Sequence, residues 1–593
     1  MFRRLLFIVF LVVLAVVLVL NPNFKTISAG IAILLFGMIM LEEGFRVFTK
    51  GPLQNLLKKA TNKLYKSISV GALVTALLQS SSLVSVITIS FISAGLISLT
   101  GGLGLIFGAN IGSTATAWLV AGFGLKIKIS ALAMPMLVFG IIFSIQKNEV
   151  FKGIGNVLAG LGFFFLGIYF MKEGFEVFSK YIDLTQYAVS GYLGVLLYTA
   201  IGIIITVLLQ SSAASLVLVL TALAAGQIAY ENALAITIGA NIGTTVTAIL
   251  GAISSNVSGK RLAGAHLIFN IVTGIIALIF IFPLASLVNY LAEIFGIKYS
   301  DYTLKLALFH TIFNILGVIL MIPFIKSIET LLLRIFKEKI KGTDEPKYLN
   351  EAVLKFPGTV ISSLINETKH LYKNAIFEIV AHALNIHRED IISDKKIKSI
   401  VKKSTTDMQI DVEELYYKKV KSIYGEIIRY ASTAQNTLHL NKKQNSTITN
   451  IKIANRKMVE IIKEVRELNK NVTKSLNLDN KYLLKEYDGF RKKVIKVLRI
   501  IYLFRTEDKT LKYAEKLIEL KKQAKENIKQ NNKSIDRLIR KNLITSEMAS
   551  SLFNDYANVN EMIKKLIEVA ELLYNEKHSI FENNGNEAQK KSA

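Results

Sequence analysis

"TALLQSSSLVS", residues 75–85, and "TVLLQSSAASLV", residues 206–217, are apolar runs broken twice by nearly the same phrase, a glutamine followed by hydroxyls. Polar groups in lipid or in a protein core cost free energy unless each finds a partner, so a repeated break points to a purpose. Gln210 follows Gln79 by 131 residues, and at the same offset "GANIGSTATA" (Gly108 to Ala117) returns as "GANIGTTVTA" (Gly239 to Ala248). One residue out of step, "LEEGFRVF" (Leu41 to Phe48) matches "MKEGFEVF" (Met171 to Phe178). Three blocks in one order mark a duplicated unit of roughly 130 residues.

The surroundings of these blocks decide what the unit is. The chain has 593 residues, 52% of them hydrophobic, and no charged residue falls between Lys66 and Lys126, between Asp183 and Glu231, or between Glu231 and Lys260. Stretches that long without charge read as membrane-embedded up to about residue 336. The absence of cysteine excludes disulfides and thiolate chemistry. A net charge of +27 would suit nucleic acid, but no nucleic-acid motif accompanies it. Lysine and arginine on the cytoplasmic side of a membrane protein account for it. "MFRRLLFIVFLVVLAVVLVLNPNF" has a long apolar run and no small-residue cleavage site, so residues 1–26 read as an uncleaved first helix.

Residues 67–78 and 83–98 are each shorter than the roughly 20 helical residues needed to cross about 30 Å of hydrocarbon. Together they make a re-entrant hairpin with Gln79 and the serines at its tip. Between equivalent points of the repeats the chain then crosses three times, near 27–48, 103–122 and 128–146. Three is odd, so the repeats are inverted. Arg3, Arg4, Lys50, Lys58, Lys59, Lys63, Lys66, Lys260 and Arg261 then lie inside, and the acidic loop at 172–190 lies outside. A hairpin counted as one crossing would instead give parallel repeats.

The expected fold is therefore all-α: a polytopic membrane protein of two inverted repeats with re-entrant hairpins, followed by a cytoplasmic helical bundle. Repeat one spans 27–150, repeat two 151–282, and an additional helix 303–336. A linker covers 337–356, a charged helix-periodic bundle 357–580, and a polar tail 581–593. The bundle reads as six segments near 358–385, 405–440, 442–476, 480–504, 508–540 and 544–578. A smaller echo, "AHLIFNIVTG" from Ala265 and "FHTIFNILGV" from Phe309, places His266 and His310 at the start of apolar helices. One ring bond to a neighbouring helix, or packing beside Asn270 and Asn314, is the expected role for both.

At a re-entrant tip one half-helix ends in free carbonyls and the next begins with free N–H groups. Ser80, Ser81 and Ser82 suit the N-terminus of the second half. That end attracts anions, while carbonyl, hydroxyl and amide oxygens attract small cations. Inverted repeats bring two such tips face to face at mid-membrane. Glycines flanking Asn110 and Asn241 weaken their helices, so that Asn110, Ser113, Thr114 and Thr116, with Asn241, Thr244, Thr245 and Thr247, offer uncharged oxygens to the same cavity. No lysine or arginine stands in these motifs. A multivalent anion held by dipoles alone is left uncompensated, and co-bound cations supply the missing charge.

Duplicated "QSSS"-type tips, each followed by "GANIG", resemble the type II sodium-phosphate cotransporter family over roughly residues 27–330. The resemblance implies a sodium-coupled symporter importing inorganic phosphate, with Gln79, Ser80, Ser81, Ser82, Gln210, Ser211 and Ser212 on the phosphate. It implies Asn110, Ser113, Thr114, Asn241, Thr244 and Thr245 on sodium or the cavity wall. Ala213 departs from the pattern where a third serine would stand, which leaves the number of sodium sites open. The C-terminal bundle is similar to PhoU-like domains, whose acidic D-x-x-x-D clusters bind metal. Asp390 with Asp394, and Asp407 with Asp411, have that spacing, as do acids on many solvated helices.

The implied partners are phosphate, sodium as coupling ion and the bilayer of a plasma (inner) membrane, with no nucleic acid, no organic cofactor and no metal beyond sodium. A homodimer and a cytoplasmic regulatory partner stay open. An anion channel, or a phosphate sensor built on the same core, are the alternatives. No catalytic constellation points to an enzyme. Because the chain has no cysteine, topology is directly testable. Lys180→Cys should react with an impermeant maleimide from outside the cell and Lys63→Cys only after permeabilisation. Labelling at 180 from the cytoplasmic side alone would overturn the inverted arrangement.

Overall fold

The computed structural model describes residues 12, 15–48, 57, 61–126, 129–180, 184–337, 345–406, 408–438, 440–506, 510–526 and 528–574. Residues 1–11, Lys50, Lys58, Lys59, Asp407 and the tail at 581–593, all given roles above, lie outside the described residues. All regular structure among the described residues is helical. The chain divides near residue 337 into two compact units, residues 350–352 grouping with the first.

The membrane unit runs through α1 (Pro22–Phe48), α2 (Leu64–Leu78), α3 (Ser81–Ser93), α4 (Leu99–Gly112), α5 (Ala115–Leu119) and α6 (Ile129–Ser144). It repeats with α7 (Glu149–Phe178), α8 (Gly191–Leu209), α9 (Ser212–Ala224), α10 (Tyr230–Ala252) and α11 (Val257–Ile279). Three more helices follow: α12 (Ile281–Ile294), α13 (Tyr302–Met321) and α14 (Ile325–Ile335). Among the described residues seven helical stretches are long and apolar enough to cross a membrane, while α2, α3 and α9 are apolar but short. This is an all-α polytopic membrane protein. α8 has 19 residues against the 15 of its counterpart α2, about one turn more. The expected crossing near 103–122 is interrupted at Ser113–Thr114 and ends in a π-helical turn, Val120–Gly124. His266 and His310 lie within α11 and α13 rather than at their starts, because each helix begins about two turns before the echoed motif.

Small residues set how these helices meet. A Cβ on Gly30 would touch Met171, one on Gly37 would touch Phe164, and one on Gly44 would touch Val157. From the other side, Gly160 meets Leu41, Gly167 meets Leu34 and Gly174 meets Ile27. Numbers rise on α1 as they fall on α7, so these equivalent helices of the two repeats run antiparallel. Gly108 of α4 approaches Ile68 of α2, where a Cβ would stand 2.0 Å from the carbonyl oxygen. Gly239 of α10 repeats this against Thr199 of α8, at 2.1 Å. Backbones packed this closely are the usual device for helix association where no hydrophobic driving force exists.

In the second unit the main helices are Pro357–Leu371, Ser422–Thr437, Lys442–Asn477, Lys481–Thr506, Thr510–Glu526, Ile528–Arg540 and Ser546–Tyr574. The expected segment at 358–385 forms as two helices joined by a π-helical turn at Tyr372–Ile376. Within the segment at 508–540 the described residues are helical over Thr510–Glu526 and Ile528–Arg540. Glu367, fully buried, accepts the backbone N–H of Lys347 at 2.8 Å and of Tyr348 at 2.6 Å. That carboxylate ties the incoming chain to the bundle.

Gly108→Ala should drive α4 away from α2 at a cost of about 1–3 kcal/mol, the range for overpacking. Gly122, which has open space at its Cβ position, supplies the control. In detergent, Gly108→Ala should lower the thermal midpoint while Gly122→Ala leaves it in place.

Candidate functional site

Each hairpin reverses at its glutamine. Gln79 closes α2 with φ 53° and ψ 26°, and Gln210 closes α8 with φ 51° and ψ 23°. This left-handed conformation is uncommon for a residue with a Cβ and is held by its surroundings. The Gln79 amide nitrogen donates to the Ala76 carbonyl at 2.5 Å, and its oxygen accepts the Thr116 hydroxyl at 2.8 Å. The next residue swings back to extended backbone and caps the second half-helix. Ser80 Oγ accepts from Leu83 N–H, and Ser211 Oγ from Ala214 N–H, both at 3.2 Å. In the second hairpin Thr206 donates to Ser215 Oγ at 2.9 Å, bracing the two halves.

Capping at the third position leaves the first N–H groups of α3 and α9 without partners inside their helices. Both N-termini open on one cavity of 380 Å³, lined by Gln79, Ser80, Ser81 and Ser82 and by Gln210, Ser211, Ser212 and Ala213. Ser113 and Thr116 complete its polar wall, and Leu35, Met38 and Ile39 of α1 form the apolar one. Two helix N-termini, each carrying about half a positive charge, make such a cavity attractive to an anion. The tips are also bonded across the repeats, with Ser82 Oγ and Thr247 Oγ1 3.1 Å apart.

All seven glutamine-serine residues singled out in the sequence line this cavity. Of the oxygen donors named in the two "GANIG" blocks, Ser113 and Thr116 do. Asn110 donates to the Ile106 carbonyl of its own helix at 3.1 Å, and Thr114 to Ile111 at 2.8 Å. Thr244 and Thr245 likewise donate to Ala240 and Ile242. Asn241 instead joins α10 to α13: its amide donates to Asn314 Oδ1 at 3.0 Å, and its oxygen pairs with His310 Nε2 at 3.2 Å. His310 thus makes the ring bond expected of it, whereas His266 Nδ1 and the amide of Asn270 are buried without a partner.

Sequence reading missed Glu42, which also lines the cavity. Its neighbour Glu43 attracted notice as a helix-end charge, but Glu43 is exposed. In the second unit Asp390 pairs with Lys395 at 2.8 Å, and Asp411 caps the helix Val412–Tyr416. No group of three or more potential metal ligands occurs among the described residues.

With this geometry in hand, the family match can be placed in the membrane unit. The family model described as Na+/Pi-cotransporter matches residues 33–173 and 192–322, two segments that together reach into both repeats. "Uncharacterized protein YqeW" of Bacillus subtilis is 28% identical over 303 residues, which are 50% of this chain and 92% of that protein. "Putative inorganic phosphate export protein YjbB" of Salmonella typhimurium is 26% identical over 343 residues, and its Escherichia coli K12 counterpart 27% over 345. In both, the match spans 57% of this chain but only 61% of the relative. No solved structure matches the chain.

Asn241→Ala should strand His310 Nε2 and Asn314 Oδ1 in a buried interface, at about 1–3 kcal/mol for each group left unsatisfied. Asn110→Ala removes only a bond within its own helix and should cost less. Thermal unfolding of the two variants in one detergent checks the order; equal losses would mean that the α10–α13 network adds no stability. Over both repeats, the membrane unit that carries these tips is similar to the Na+/Pi-cotransporter family.

Proposed function

We propose that the membrane unit is a sodium-coupled phosphate symporter that holds its substrate between the two glutamine-serine tips. The observation that carries this reading is the single cavity onto which both helix N-termini open, with six serine hydroxyls and two glutamine amides on its lining. The family match over both repeats supports phosphate as the transported species. Sodium supplies the charge that dipoles and hydroxyls do not, since no lysine or arginine occurs among the described lining residues.

The repeats are inverted in the membrane on this reading, which the antiparallel seam of α1 and α7 supports. Alternating access then exchanges the roles of the two halves around a fixed site. Phosphate moves inward with sodium down the sodium gradient, through the plasma membrane, and the helical bundle, taken as PhoU-like, faces the cytoplasm. The YjbB proteins are named for phosphate export, and a site that binds both ligands is compatible with either direction.

Gln79→Ala and Gln210→Ala each remove an amide from the lining. A hydrogen bond to a charged group is worth about 1.5–3 kcal/mol, so phosphate affinity should fall roughly 10- to 150-fold. Linkage requires sodium affinity measured with phosphate present to weaken as well. Phosphate binding to purified protein across a sodium titration, with potassium as replacement, measures both. Unchanged binding in both variants would remove the tips from the site. Sodium-independent binding in the wild type would remove the coupling, and a conductance well above transporter turnover would then favour a channel.

A further inference from the structure

A hydroxyl has a single proton to give, and once that proton is committed only its lone pairs remain for a ligand. Three hydroxyls on the cavity lining have committed theirs. Ser113 Oγ donates to the Asn110 carbonyl at 2.7 Å, and Thr116 Oγ1 donates to Gln79 Oε1 at 2.8 Å. The sense of the second bond is fixed, because the Ala76 carbonyl can only accept. It holds the Nε2 end of the Gln79 amide and leaves the oxygen end for Thr116. Ser82 Oγ lies 3.1 Å from Thr247 Oγ1, whose own proton goes to the Thr244 carbonyl at 2.7 Å, so Ser82 is the donor of that pair. Ser82, Ser113 and Thr116 therefore offer the cavity acceptors alone.

The serines at the two helix N-termini have the opposite character. Ser80 and Ser211 accept backbone N–H groups at their oxygens and keep their own protons. With Ser81 and Ser212 they spend no hydroxyl proton on an acceptor among the described residues, so all four can donate to an anion. The second repeat does not reproduce the acceptor group. Ala213 stands in place of Ser82, and Thr244, the equivalent of Ser113, is not on the lining. Thr247, the equivalent of Thr116, is engaged with Ser82 rather than with Gln210. The lining is thus divided into donors from both tips and acceptors from the first repeat only.

Acceptors beside an anion site repel a ligand that brings only lone pairs and select one that brings a proton. At neutral pH inorganic phosphate keeps a P–OH group, whereas sulfate and monofluorophosphate are tetrahedral dianions without one. A polar group placed to pair with a substrate hydroxyl rejects the analogue that leaves it unpaired. We propose that Ser82, Ser113 and Thr116 are specificity-determining residues that accept the P–OH of phosphate, so that the cavity selects a protonated oxyanion over a fully ionised one. The ionised oxygens of the same ligand take the serine hydroxyls and N–H groups of the helix N-termini. This rests on the reading of the tips as a phosphate site and adds to it the rule by which oxyanions are told apart.

The test is displacement of radiolabelled phosphate by unlabelled phosphate, sulfate and monofluorophosphate from the full-length protein at fixed sodium and neutral pH. In the wild type both analogues should bind roughly 100-fold or more weakly than phosphate. Ser82→Ala, Ser113→Ala and Thr116→Val should each narrow that ratio, at least one of them by about tenfold, whereas Thr116→Ser should keep it. Ser81→Ala removes a donor and should weaken all three anions alike, leaving the ratio in place. A ratio is insensitive to a general loss of stability, and if one variant does not fold the other two carry the test. Equal binding of phosphate and monofluorophosphate in the wild type would overturn the proposal while leaving the symporter reading standing. An unchanged ratio in all the folded acceptor variants would overturn it too. Loss of sodium dependence with the ratio intact would assign these oxygens to the cation instead and overturn it. Absence of phosphate binding in the wild type at any sodium concentration would defeat the symporter reading and this proposal together.

Discussion

A helix that stops inside an apolar layer must find partners for the backbone groups it frees, because no water is there to take them. The membrane unit meets this constraint with one two-residue device used twice. A left-handed glutamine turns the chain, and an extended serine caps the helix that follows. The cap satisfies the third N–H of each new helix and leaves the first two facing the cavity. The groups that would be costly to bury thereby stand at the ends of two helices, where an anion is favoured.

The device works only if the hairpins are held against something rigid. Each rests on a glycine-lined helix, α2 on α4 and α8 on α10, with backbone meeting backbone at Gly108 and Gly239. The glycines of "GANIG" therefore serve packing. Their asparagines do not reach the cavity: Asn110 turns back to its own helix, and Asn241 locks α10 to α13. The contact is closed on one side of the pseudo-symmetric pair and open on the other, where Asn270 keeps an unpartnered amide. A protein whose halves exchange roles would hold such unequal states in any one conformation.

Much of this was legible in the sequence because the duplication is literal. Offsets of 130 and 131 residues fixed which helices correspond, and charge-free lengths placed them in a membrane. Short half-helices around Gln79 gave the hairpin. The site itself was half legible: "QSSS" and "QSSA" carried their own chemistry, whereas of the oxygen-rich "GANIG" blocks only Ser113 and Thr116 line the cavity and the asparagines serve helix packing. Glu42 was hidden because its significance depends on which face of α1 meets the tips. Residues 42 and 43 are adjacent in sequence and about 100° apart around the helix, and only the three-dimensional arrangement separates the cavity acid from the exposed one.

The direction of transport does not follow from any of these residues. Coupling between two ligands at one cavity is a single free energy, and by linkage each ligand strengthens the other equally. A site that binds sodium and phosphate together loads from whichever side holds more of both. Import and export by related proteins then differ in the gradients each meets and in the relative stability of the two access states, not in the tips. On the symporter reading, the helix seams, such as Gly37 against Phe164 and Asn241 against Asn314, are where two access states would differ in packing. Differences in direction among relatives would be sought there, since changing the tips changes what is bound before it changes where it goes.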